Sequence, residues 1–161
     1  HSKEFKALNI PFMFDPGHGL PMFNLVDLLK FIDDATYIAV NDYEATLLSE
    51  KTSLSLEEIS KRVEALIVTR GGEGSIIYAD HKTYKIEPIK VQSTIDPTGC
   101  GDAYRAGLLY GISKKWDWQS TGRLASVMGA IKIQNQGGQN HRPTRDDIEM
   151  LYTKKLIEEN N

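Results

Sequence analysis

Three short apolar runs constrain this chain more than any other feature. They cover residues 10–14, 37–40 and 65–69, each stops at a Pro-Gly, Asn-Asp or Gly-Gly break, and segments of helical period lie between them. Apolar stretches of four or five residues closed by such breaks read as buried strands. Buried strands separated by helices belong in a parallel sheet, because parallel neighbours need a long crossover. Residues 1–8 read as the end of a helix, and 24–32 and 44–50 carry helical periodicity. Ser55 followed by Glu58 is a capping box that opens another helix. Residues 75–79 and 82–87 read as a hairpin around Asp80-His81. Beyond Asp96 the pattern turns helical, over 101–112, 121–134 and a last helix capped at Thr144 and reaching about residue 158. The expectation is a single α/β domain over residues 1–161, with a mostly parallel sheet flanked by helices on both faces.

Composition narrows the partners. The chain has 161 residues and a formal net charge of -3, with no Lys/Arg run. It has no electrostatic reason to bind nucleic acid or an anionic membrane. No apolar stretch approaches the ~20 residues that span a bilayer. A single cysteine, Cys100, cannot form an internal disulfide, so a reducing cytoplasm is the expected location.

The chemistry is concentrated in Asp96-Pro97-Thr98-Gly99-Cys100-Gly101-Asp102, which runs directly into a helical segment. The two glycines let an anion approach the main chain without a Cβ in the way. The amides of Gly99, Cys100 and Gly101 then lie at a helix N-terminus, where free N–H groups and the positive dipole end favour phosphate. Asp102, in the first turn beside such a site, is a candidate base for taking a proton from a hydroxyl. A well-capped helix start uses the same residues, but the longer Asp-x-Thr-Gly-x-Gly-Asp pattern arises by chance only about once in a million starts. The P-loop and dinucleotide fingerprints are both absent. A nucleophilic role for Cys100 is the rival reading, and no motif ties a histidine to it.

The run from Asp96 through Gly107 closely resembles the second signature of the ribokinase-like (PfkB) carbohydrate and nucleoside kinases. The resemblance implies Asp102 as catalytic base, with the amides of Gly99, Cys100 and Gly101 as the hole for the transferring phosphoryl group. Asn41-Asp42-Tyr43-Glu44 resembles the family's Asn-x-x-Glu motif, which implies that Asn41 and Glu44 help place Mg²⁺ near the ATP phosphates, Glu44 through water. Residues 68–75 resemble the nucleotide loop, implying ATP contacts from Thr69, Gly71 and Gly74. Ser126 and Gly129 lie where the family's helix borders the adenine, although a core stripe explains them as well. Residues 134–140 match a loop that often binds a monovalent cation, usually K⁺, which implies Asp96, Thr98, Asn135 and Gly137 as its ligands. His18, in the turn after the first strand, and His141 read as surface residues.

The Asp-Pro-Thr wording, Asn-Asp-Tyr-Glu with Leu47-Leu48, and Lys51-Thr52 look most like bacterial adenosine kinases of this family. The implied reaction moves the γ-phosphoryl group of ATP to a primary hydroxyl of a nucleoside or sugar, adenosine first. A ribokinase- or fructokinase-type sugar kinase is the alternative, and a non-catalytic nucleotide-binding module is the alternative of another class. The motifs match only the family's C-terminal half. We therefore expect a fragment of a longer kinase, inactive alone, with a homodimer allowed for the intact protein.

Overall fold

The computed structural model of the protein describes residues 1–159. Contacts within the chain group it into two compact units, one of His1–Gly71 with Ser75–Tyr84, the other of Gly72–Gly74 with residues 85–159.

The first unit holds the sheet. Helix α1 (Ser2–Ala7) leads to β1 (Met13–Phe14), a 3-10 turn at Gly17–Met22 and α2 (Leu25–Asp34). Strand β2 (Tyr37–Asn41) passes directly into α3 (Asp42–Thr52), and α4 (Leu56–Ser60) precedes β3 (Ala65–Thr69). After a 3-10 turn at Gly71–Glu73 comes the hairpin of β4 (Ser75–Ala79) and β5 (Lys82–Ile86), whose last residues cross into the second unit. The strands lie in chain order, β1-β2-β3-β4-β5. β1–β2 and β2–β3 pair in parallel, and β3–β4 is antiparallel. Asp80 and His81 at the hairpin tip both have positive φ, 52° and 57°, as a two-residue loop matching the strand twist requires.

β2 and β3 are buried along almost their whole length, as parallel strands covered on both faces should be. Ile38, Val40, Leu66 and Val68 join Leu28, Ile32, Leu48 and Ile59 in one core. Phe14 stacks on Phe31 with centroids 4.8 Å apart. The first strand is shorter than the apolar run predicts. Pro11 lacks an N–H, and Phe12 bonds irregularly, its amide to the Thr36 hydroxyl and its carbonyl to the amides of Thr36 and Tyr37. Only Met13 and Phe14 remain in the ladder.

The second unit is helical. Helix α5 (Cys100–Ser113) packs along α6 (Trp118–Ile133), and α7 (Arg145–Glu159) follows. α6 begins three residues before the predicted start, because Asp117 caps it by accepting from the Ser120 amide at 2.8 Å. Buried Arg123 joins α6 to α7, donating to the Tyr152 hydroxyl at 3.2 Å and to the Glu159 carboxylate. The α5–α6 approach depends on Gly107: a Cβ there would lie 2.6 Å from the Ala125 Cα and 2.9 Å from its nitrogen. Gly107→Ala should therefore lower the melting temperature by roughly 3–10 °C. Gly72→Ala, where an added Cβ meets nothing within 4 Å, should leave it nearly unchanged.

Candidate active site

The first turn of α5 displays unclaimed backbone donors. Gly99 caps the helix with φ +80°, and a Cβ there would sit 2.9 Å from the Gly138 carbonyl oxygen, so conformation and space both require glycine. The Cys100 amide donates to the Pro97 carbonyl at 3.1 Å, so it is committed, contrary to the sequence expectation. The amides of Gly99, Gly101 and Asp102 donate to no group among the described residues. The uncommitted set is thus Gly99, Gly101 and Asp102 rather than Gly99, Cys100 and Gly101. They share the positive end of a 14-residue helix. Asp102 is exposed in that turn. Arg105 folds back against Gly101, where an added Cβ would collide with its guanidinium. The sequence reading gave Arg105 no role, although its place one turn into the helix was visible.

Asp96 joins two loops. Its Oδ1 accepts from the Thr98 amide at 2.9 Å, and its Oδ2 accepts from the Gly137 amide at 2.7 Å and the Gln136 side-chain amide at 3.1 Å. The Thr98 bonds, then the Gly137 amide and the Lys132 charge, pull its pKa down to about 2. The Asp96 and Asn135 carbonyls both accept from Lys132 Nζ, each at 2.9 Å. The structure thus brings together four residues expected to bind a monovalent cation, Asp96, Thr98, Asn135 and Gly137. They do not fit one. Both Asp96 carboxylate oxygens are occupied by amides, and an ammonium already bridges two of the carbonyls. Lys132 is the residue that sequence reasoning missed. A lysine in the last turn of a helix pattern reads as solvent-facing, and nothing local reveals that its head is buried.

Burial raises the Cys100 thiol pKa, with Asp96 adding to the rise and Lys132 opposing it, and Sγ donates weakly to the Asp96 carbonyl at 3.8 Å. A protonated thiol in this setting is a poor nucleophile, which counts against the rival reading.

Asn41 and Glu44 meet as a complete capping box on α3. Asn41 Oδ1 accepts from the Glu44 amide at 2.7 Å, and Glu44 Oε2 accepts from the Asn41 amide at 2.9 Å. Glu44 is 5% exposed. Its other oxygen, Oε1, accepts from no group among the described residues. Among the described residues no cluster of three or more His, Cys, Asp or Glu could grip a metal directly. One uncommitted carboxylate oxygen fits a magnesium ion only through its water shell, the contact Mg²⁺ favours. In the following loop Thr69 Oγ1 lies 3.4 Å from the Val40 carbonyl. Gly71 has φ +53° and open space around it. Gly74 has φ +81°, and a Cβ there would run into the Ile86 carbonyl and lie 3.0 Å from the Pro88 nitrogen, so a chain contact alone explains that glycine. On α6, Ser126 is buried with the core stripe, and Gly129 faces α5, where an added Cβ would be 3.9 Å from the Cys100 carbonyl. His18 is exposed and His141 half-buried.

Residues 13–145 match the pfkB family of carbohydrate kinases. The chain is 36% identical over 135 residues to a nucleoside kinase of Methanocaldococcus jannaschii, covering 84% of this chain and 45% of that protein. It is 34% identical over 121 residues to a ribokinase of Lactococcus lactis, covering 74% of this chain and 39% of that protein. The solved nucleoside kinase of Burkholderia thailandensis in complex with inosine superposes with a TM-score of 0.95 at 50% identity, covering 98% of this chain and 52% of that one. Its ADP-inosine complex gives 0.94 at 51%, covering 96% and 48%. The chain thus spans about half the length of the proteins it matches.

The depressed pKa of Asp96 has a testable sign. An ordinary aspartate titrates near about 4. Asp96 therefore adds stability that is complete above about 4 and is lost as pH falls towards its folded value of about 2. Asp96→Asn should melt below wild type at neutral pH, and the gap should shrink between about pH 4 and 2. A gap that stays constant across that range would contradict the assignment.

Proposed function

Because this chain belongs to the pfkB family of carbohydrate kinases and has their ribokinase-like fold, we propose that its protein transfers the γ-phosphoryl group of ATP to a primary hydroxyl of a nucleoside. The observation that carries this reading is the first turn of α5, where three uncommitted amides and the exposed Asp102 lie together. The Asp102 carboxylate accepts the hydroxyl proton as that oxygen attacks the γ-phosphorus, and ADP departs in line. The amides of Gly99, Gly101 and Asp102 take up charge spreading over the phosphoryl oxygens. Mg²⁺, when bound, neutralises charge on the ATP phosphates. Asn41 and Glu44 would hold its water shell through Glu44 Oε1. Thr69 and Gly71 are read as ATP contacts, as are Ser126 and Gly129 towards the adenine.

A nucleoside acceptor is supported by the kinship with the Burkholderia and Methanocaldococcus enzymes, whose names state that activity. Adenosine is our first choice within that class, from the Asp-Pro-Thr wording of the motif. A sugar acceptor is the second reading, favoured by the kinship with the Lactococcus ribokinase. The activity is proposed for the intact protein, and residues 1–161 alone should not turn over, since they match only about half of each relative. A single nucleotide-binding domain over these residues, a homodimer of the intact protein and a cytoplasmic location complete the reading.

In the intact protein, Asp102→Asn should lower kcat by roughly 10²–10⁴-fold. ATP binding measured by calorimetry should persist, because the amides and the nucleotide loop are untouched. Turnover close to wild type in that variant would remove Asp102 as the base and the proposed mechanism with it.

A further inference from the structure

Lys132 has an exposure of 0%, and it lies in the last turn of α6. A buried ammonium must be compensated by oxygen atoms or it destabilises the fold severely. Here the compensation comes from two stretches of chain. Nζ donates to the Asp96 carbonyl before α5 and to the Asn135 carbonyl after α6, each at 2.9 Å. The Asp96 carboxylate adds its negative charge beside them. Around the same helix end, the amides of Ile95 and Asp96 both donate to the Ile133 carbonyl, at 2.8 and 3.2 Å. The result is a pocket of carbonyl oxygens with one carboxylate, docked on the negative end of a helix dipole. Such hard oxygen donors suit an alkali cation as well as they suit an ammonium.

We propose that the Lys132 ammonium is the built-in monovalent cation of this site, so that the protein needs no bound potassium there. A tethered cation is always present, and it pins Asp96, four residues before α5 begins, to the end of α6. Lys132 is therefore a positioning residue for the first turn of α5 and touches no reacting group. The inference rests on the kinase reading only for the expectation that a cation belongs here. Its readout is melting, which needs no turnover, so either idea can fail without the other.

The test compares thermal melting of the intact protein in tetramethylammonium, lithium and potassium chloride at equal ionic strength. Wild type should melt at the same temperature in all three. Lys132→Ala, which empties the position, should melt roughly 10 °C lower in tetramethylammonium. Potassium should restore much of that loss and lithium should not, a cation-specific recovery that a merely structural lysine would not give. Recovery that is equal in all salts, or absent, would overturn the proposal. Should Lys132→Ala fail to fold in any salt, the wild-type arm decides: invariant melting upholds the inference, and stabilisation specific to potassium overturns it.

Discussion

The Asp96 carboxylate and the Lys132 ammonium hold the second unit's functional end in one arrangement. Asp96 takes amides from Thr98, two residues on, and from Gly137, forty-one residues on, while its carbonyl takes the ammonium. The loop that launches α5 is thereby fixed to the loop that ends α6. Gly99 sits against Gly138 as a consequence, at a separation that admits no side chain. With those contacts in place, the amides of Gly99, Gly101 and Asp102 stay uncommitted among the described residues, which is what an anion site requires. Loss of this link should be felt at the start of α5.

Features that depend on neighbours a few residues apart were legible in the sequence. The Ser55–Glu58 box formed as read, because it is closed by side chains three residues from their partners, and Asn41–Glu44 closes by the same rule. The hairpin at Asp80-His81 and the helices α2, α5 and α7 followed from periodicity and caps. Asp117 obeys the same capping rule, but its signal was passed over in favour of the apolar pattern further on, which shortened α6. The first strand was overestimated because Pro11 removes a donor that apolarity does not register.

Features that depend on distant chain segments were not legible. The buried head of Lys132 has acceptors at Asp96, outside its helix, and at Asn135, beyond the helix end, so its local surroundings describe an ordinary surface lysine. The residues expected as cation ligands, Asp96, Thr98, Asn135 and Gly137, do lie together, with the Lys132 ammonium on two of their carbonyls. The same limit applies to Cys100, whose amide is turned to Pro97, and to Gly74, whose neighbours are Ile86 and Pro88. Glycines read as open to a nucleotide can be required by the chain itself. Gly71 keeps the open surroundings that a ligand contact needs.

Family membership and the α5 site together make phosphoryl transfer the central claim, with the acceptor as its sharpest part. The most direct measurement supplies the intact protein with ATP labelled at the γ-phosphorus. Adenosine, inosine, ribose and fructose are offered in separate reactions, and the product of each is identified. Label is expected on the primary hydroxyl of a nucleoside, adenosine foremost, with little on the free sugars. Label on ribose or fructose in preference to every nucleoside would contradict the acceptor, and no labelled product at all would contradict the reaction.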